Sequence, residues 1–255
     1  MGIFDGIDPL VSLVVGANQG IGLEFARQLV QRDPPSRVFA THRQAPSPEL
    51  LALRDRVPDQ LTLLPLDITD EAQIANAIAQ IKSHTPHLHL VMNCVGLLHD
   101  ETLQPEKSLQ QVQSDSLLRY FQVNSIGSVL LAKYALPLLK HGDRSVFAAI
   151  SAKVGSIGDN ELGGWYGYRA SKAALNMLMR TTAIEYRRKS PHTLVVVLHP
   201  GTTDTRLSKP FQRNVPPEKL FSVHRTVSQL LQVIEGLQPQ DSGKFFSWDG
   251  SELPW

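Results

Sequence analysis

An apolar run that breaks into a glycine-rich turn and resumes as a helical pattern limits the architectures open to this chain. The run is Leu10-Val11-Ser12-Leu13-Val14-Val15, and the turn is Gly16-Ala17-Asn18-Gln19-Gly20-Ile21-Gly22. Apolar residues at helical spacing then follow from Leu23 to Val30. Strand, glycine turn and helix together put a helix N-terminus, with its unpaired N–H groups, where a pyrophosphate can rest. Glycine lets the backbone turn tightly and approach the anion. The spacing is G-x-x-x-G-x-G rather than the G-x-G-x-x-G of the usual dinucleotide fingerprint. A glycine turn alone is weak ground for a nucleotide site; its setting between strand and helix points there.

The alternation continues along the chain. Strand candidates lie at residues 10–15, 37–41, 61–64, 88–92, 145–150, 193–198 and 243–246. Helical patterns occupy 21–31, 48–54, 71–83, 117–139 and 168–188. Asp70 is placed to cap the helix that begins at Glu71. Pro216-Pro217 opens a further amphipathic stretch, 218–235, with Gly236 as its C-cap. Such alternation predicts right-handed crossovers and a parallel sheet covered on both faces. The chain has 255 residues, 42% of them hydrophobic, and no linker or repeat, so one domain spanning 1–255 is expected. Ligands of such sheets sit at the carboxyl ends of strands. Gly16, Asn93, Ser151 and Pro200 each follow a strand candidate.

Tyr168-Arg169-Ala170-Ser171-Lys172 sets a phenol and an ammonium four residues apart on one helix face. A free tyrosine, with a pKa of about 10, is a poor acid-base catalyst near neutrality. A nearby ammonium favours the phenolate and would lower that value. On spacing alone, Tyr-x-x-x-Lys is usually an ordinary helix surface. The upstream glycine motif is what gives the pair chemical weight.

Taken together, these residues resemble the short-chain dehydrogenase/reductase family, over essentially the whole chain. Gly16, Gly20 and Gly22 match its glycine motif. Asn93-Cys94-Val95-Gly96 matches its Asn-Asn-Ala-Gly motif with two departures, Cys94 and Val95. Asn124, Ser151, Tyr168 and Lys172 match the catalytic tetrad, and Pro200-Gly201, followed by Thr202, Thr203 and Thr205, matches the motif after a late strand. The stretch 159–165 and the ending 249–255 look like the C-factor and sniffer-type carbonyl reductase branch. The resemblance implies a single Rossmann-type doubly wound α/β domain of about seven mostly parallel strands. Numbered along the chain, they would take the order 3-2-1-4-5-6-7, with a substrate lid at about 205–217. It implies hydride transfer between a nicotinamide cofactor and a carbonyl or alcohol substrate. Tyr168 would donate the proton, Ser151 would orient the oxygen, and Lys172 would hold the nicotinamide ribose and lower the Tyr168 pKa. Asn124 would hold a connecting water. Asn18, Gln19, Ile21, Asp67, Ile68, Asn93, Cys94, Val95, Gly96, Pro200, Gly201, Thr203 and Thr205 would line the cofactor. Relatives assemble through two long helices, so a homodimer or homotetramer is expected.

The second strand candidate ends in His42-Arg43, with no carboxylate there to repel a 2′-phosphate. Arg43 can hold that phosphate bidentately, so NADP(H) is expected in preference to NAD(H). Competing readings are a nucleotide-binding signalling protein of C-factor type with little turnover, and NAD-dependent alcohol oxidation. A formal charge of +1 argues against a broad nucleic-acid footprint. The lone Cys94 excludes an intrachain disulfide and suits a reducing compartment, here the cytoplasm. Residues 1–6 lack the pattern of a secretory signal, and no apolar run is long enough to span a bilayer. His84, His87 and His89 have no carboxylate or cysteine beside them in sequence, so a loop cluster is expected, not a metal site. Trp165, Leu207 and Phe211 suggest an apolar substrate wall. Met177 and Met179 cannot share one helix face, so at least one must serve packing.

Overall fold

The computed structural model describes residues 2–255. Its strands are β1 (Val11–Val15), β2 (Arg37–His42), β3 (Leu61–Pro65), β4 (Leu90–Asn93), β5 (Ser145–Ile150), β6 (Thr193–His199), β7 (Thr202–Thr203), β8 (Leu220–Phe221) and β9 (Phe245–Ser247). Seven of them form one sheet in the order β3-β2-β1-β4-β5-β6-β9, every neighbour parallel. Alternate residues of each strand face opposite sides, and both sides are apolar. In β1, Val14 enters one core cluster while Leu13 and Val15 enter the other.

The helices are α1 (Gly20–Val30), α2 (Pro48–Arg56), α3 (Glu71–His84), α4 (Ser114–Phe121), α5 (Gly127–Leu139), α6 (Tyr166–Lys189) and α7 (Val223–Glu235). Asp70 caps α3, accepting from Ala72 N at 2.9 Å and Gln73 N at 3.1 Å. Three helices, α3, α5 and α6, pack on one face of the sheet, and α1 and α7 lie together on the other. On α6, Met179 is buried and Met177 is exposed.

Two expected elements are different. The helix expected over 117–139 is interrupted by a π turn, Gln122–Ile126, between α4 and α5. A π turn inserts one extra residue into the helical register without changing its apolar character, so a residue pattern does not reveal it. The stretch 218–235 is not one helix. It holds a short 3-10 turn, Pro217–Lys219, then β8, and only then α7, which is capped by the Ser222 hydroxyl accepting from Arg225 N at 3.2 Å. Gly236 does close α7, with ordinary right-handed torsions (φ −81°). The small pair β7–β8 was not foreseen. It ties together the two ends of the segment expected to form a lid, with Thr202 beside Leu220 and Thr203 beside Phe221.

Candidate active site

Where β1 gives way to α1, the backbone doubles back on itself. A Cβ on Gly22 would stand 2.2 Å from the Gly16 carbonyl oxygen, so no larger residue fits. The first turn of α1 has no side-chain cap and no acidic residue. Its leading N–H groups therefore lack side-chain partners, and no carboxylate there opposes an anion, which fits a dinucleotide pyrophosphate. Gln19 is the exposed N-cap, and Ile21 is half-buried. Asn18 does not face outward. Its Oδ1 accepts from Ser47 N at 2.6 Å, and its Nδ2 donates to Ala45 O at 3.2 Å, which pins the loop after β2.

That loop carries Arg43, which is exposed and makes no hydrogen bond or ion pair among the described residues. It borders an open hollow of about 490 Å³, together with Asp67, Thr69, Asp115 and Arg119. Asp67 Oδ1 already accepts from Thr69 N and Oγ1, at 2.9 and 2.7 Å. Ile68 is buried against Gly127 at the start of α5. Asn93, at the end of β4, donates to Ser128 Oγ at 2.7 Å and accepts from Val95 N at 3.1 Å, so its side chain anchors the strand to α5. Val95 packs against Gly16. Burial pushes the Cys94 thiol pKa well up, which leaves it an inert small apolar group.

The tetrad candidates meet in one crevice. Asn124 lies in the π turn, and its side chain is held by fixed partners. Its Oδ1 accepts from Leu97 N at 2.7 Å, and its Nδ2 donates to Leu97 O at 2.9 Å and Ser171 Oγ at 3.0 Å. One lone pair of Oδ1 is left for a water. Lys172 Nζ donates to Ile150 O at 3.0 Å, one residue before Ser151, and stands 5.9 Å from the Tyr168 ring centre. Both Tyr168 and Lys172 are buried, and so is Ser151, whose Oγ donates to Asn176 Oδ1 at 2.8 Å.

The expected lowering of the Tyr168 pKa is not found in this state. Burial pushes the phenol up, and it pushes the Lys172 ammonium down to about 8. Desolvation wins because both groups are buried and the ammonium is turned toward the Ile150 carbonyl.

Part of this burial comes from the segment between β7 and β8. Leu207 and Phe211 pack with Trp165, Val154 and Ala152 around Tyr168. His99 Nε2 donates to Leu207 O at 3.1 Å, and the Phe211 ring lies against both His99 and Trp165. Leu207 Cδ1 reaches within 3.8 Å of the point where a Cβ on Gly96 would stand, and Lys172 Nζ within 3.6 Å of that point. Pro200 and Gly201 link β6 to β7. Thr205 faces the glycine turn, its methyl 3.4 Å from a Cβ placed on Gly20. Thr203, expected beside the cofactor, instead turns its hydroxyl inward, onto Thr226 Oγ1 at 2.9 Å and Pro200 O at 3.3 Å.

Glu106 escaped the sequence reading. It is buried, and its Oε2 accepts from Gly167 N at 3.1 Å in the first turn of α6, where Trp165 offers no side-chain cap. Gly167 is required there, because a Cβ would stand 2.3 Å from the Tyr120 ring. At the opposite end of the sheet, the expectation that no carboxylate joins the histidines is corrected. The fold brings His141 and Asp143 beside His89. His89 Nδ1 accepts from Val11 N at 3.0 Å, so in the neutral ring Nε2 carries the hydrogen and is not a free metal ligand.

The family profile described as short chain dehydrogenase matches residues 10–216. With the parallel sheet and the crevice at its carboxyl edge, that match identifies the chain as a member of the short-chain dehydrogenase family. The C-signal protein of Myxococcus xanthus is 34% identical over 148 residues, 58% of this chain and 84% of that protein. The NADPH-bound carbonyl reductase from chicken fatty liver superposes with a TM-score of 0.86 at 30% identity, covering 98% of this chain and all (100%) of the other. The carbonyl reductase Sniffer of D. melanogaster does so with a TM-score of 0.84 at 25% identity, covering 97% and 100%. No described helix is long and apolar enough to cross a membrane.

Proposed function

We propose that this protein is an NADPH-dependent carbonyl reductase acting on an uncharged small molecule. One observation carries the reading. Tyr168 and Lys172 lie one turn apart on α6 and face the end of β5, where Lys172 Nζ holds Ile150 O and Ser151 follows. A protein that only stored a nucleotide would not need that set, which weighs against the signalling alternative. The reduced nicotinamide supplies the hydride when bound.

The protein's own groups handle the oxygen and the proton. Charge grows on the carbonyl oxygen as the hydride arrives, and a donor already in place there stabilises it. Ser151 orients that oxygen. Tyr168, a phenol that is protonated at neutral pH, gives it the proton. Lys172, brought down to about 8, sits near the pH at which an amine can both hold and release a proton. The α1 N-terminus, Thr205 and Arg43 would hold the cofactor's phosphates, and Lys172 its ribose. The lid wall of Leu207, Phe211 and Trp165 is apolar, which favours uncharged substrates. Met177 and Ile184, seven residues apart and both exposed on α6, offer a face for self-association, which sedimentation would test.

The test is loss of NADPH absorbance with a panel of quinones, aldehydes and diketones. Consumption with at least one compound is expected. Binding of NADPH without turnover across the panel would favour the signalling reading.

A further inference from the structure

Helix α6 buries three polar side chains at successive one-turn steps, Tyr168, Lys172 and Asn176. The first two have roles in the reductase reading, and the third has none. Asn176 Oδ1 accepts from Ser151 Oγ at 2.8 Å, while its Nδ2 is buried with no partner among the described residues. An amide carries two donors at one end and only acceptors at the other. A buried orphan N–H is rarer in native proteins than an under-satisfied carbonyl oxygen. Turned over about its last torsion, the Asn176 amide places Nδ2 on Ser151 Oγ and puts the oxygen at the unpaired position. Ser151 then accepts from Asn176, and its own hydrogen is free to point into the crevice.

We propose that Asn176 is the positioning residue for Ser151: Nδ2 donates to Ser151 Oγ and turns the hydroxyl hydrogen onto the carbonyl oxygen of the substrate. This rests on the reductase reading. The donated bond also polarises the Ser151 hydroxyl and strengthens the bond it gives. The benefit is greatest when the carbonyl oxygen carries most charge, so it falls on kcat rather than on substrate binding.

Two substitutions test this. Asn176→Asp keeps the shape but, when ionised, offers only acceptors, so it captures the Ser151 hydrogen; Asn176→Leu fills the space and offers neither. Each should lower kcat by about tenfold or more, with KM and the NADPH dissociation constant changed by less than about threefold. In a Ser151→Ala background the same substitutions should change the residual rate by less than about twofold, since no hydroxyl remains to be turned. If the leucine variant fails to fold, the aspartate variant carries the test. Equal losses of kcat in both backgrounds would show a merely structural role and overturn the proposal, as would an unchanged kcat. Absence of turnover in the unaltered protein would overturn the reductase reading and this proposal with it. Turnover indifferent to Asn176 would overturn this proposal alone.

Discussion

Phe211 of the lid and Trp165 at the start of α6 stand edge to face, ring centroids 4.9 Å apart and planes at 61°. Together with Leu207 they roof Tyr168 and leave it almost wholly buried. Were the segment between β7 and β8 a lid, it would have to open before a ligand enters, and the free energy of opening would reduce the apparent affinity. An aromatic pair contributes about 0.5–1.5 kcal/mol beyond its buried area. Phe211→Ala should therefore speed NADPH association by roughly two- to tenfold. Stopped-flow fluorescence measures this. An unchanged association rate would mean that the lid does not gate entry.

Arg43 has no partner among the described residues and sits at the rim of the hollow beyond β2. Arg43→Ala should weaken NADPH binding by about tenfold or more, the loss of a charge-assisted phosphate contact, and leave NADH binding within about twofold. Titration with both cofactors measures it. Equal losses for the two would remove Arg43 from the 2′-phosphate.

The Glu106 carboxylate takes the place of a side-chain cap for the helix that carries Tyr168. Losing a cap costs about 0.5–2 kcal/mol. Glu106→Ala should lower unfolding stability by about that amount, and Glu106→Gln, which keeps an acceptor, should lose less. Urea unfolding midpoints decide, and a stable alanine variant would show that α6 does not depend on this contact.

His89 and His199 each hold a backbone N–H on Nδ1, from Val11 at 3.0 Å and Lys153 at 3.3 Å. Burial is the largest cause that pushes both down from 6.5 to about 4. As pH falls through 6.5 the unfolded chain gains protons that the folded protein refuses, so stability falls between pH 6.5 and 4. Lys172 acts in the same sense at higher pH. Its folded value of about 8 lies below the ordinary 10.5, so between these values the unfolded chain holds the extra proton and stability gains as pH climbs. Each group contributes a slope of at most about 1.4 kcal/mol per pH unit. Lys172→Met should remove its share of the alkaline slope, and the difference between the two proteins cancels the tyrosines and Cys94. Parallel curves from pH 8 to 10.5 would contradict a buried, deprotonating Lys172.

The sheet was legible because a strand buried on both faces is a nearly unbroken apolar run, as in β1 and β6, bounded by glycine or polar residues. The tetrad candidates were legible through motif resemblance, and the fold brings Asn124, Tyr168 and Lys172 together near the end of β5, beside Ser151. What stayed hidden depends on contacts remote in sequence. His99 meets Leu207 across 108 residues, and Glu106 meets Gly167 across 61, with no local pattern to announce either. Asn176 extends the Tyr168–Lys172 stripe by one turn, yet an asparagine in a helix carries no mark until Ser151 is found beside it. The raised Tyr168 pKa is not legible in sequence because spacing shows the neighbouring charge and not the burial that remote residues impose. The proline pair Pro216-Pro217 suits a helix start, but the helix begins only at Val223, where the Ser222 hydroxyl caps it.

The central claim is that the Tyr168 phenol hands its proton to a carbonyl oxygen beside bound NADPH. Single-turnover reduction by Tyr168→Phe, in protein saturated with NADPH, tests it most directly. The account predicts unaltered NADPH affinity and a rate at least about a hundredfold below that of the unaltered protein, as befits loss of a general acid. A variant that kept more than about a tenth of the rate would contradict it.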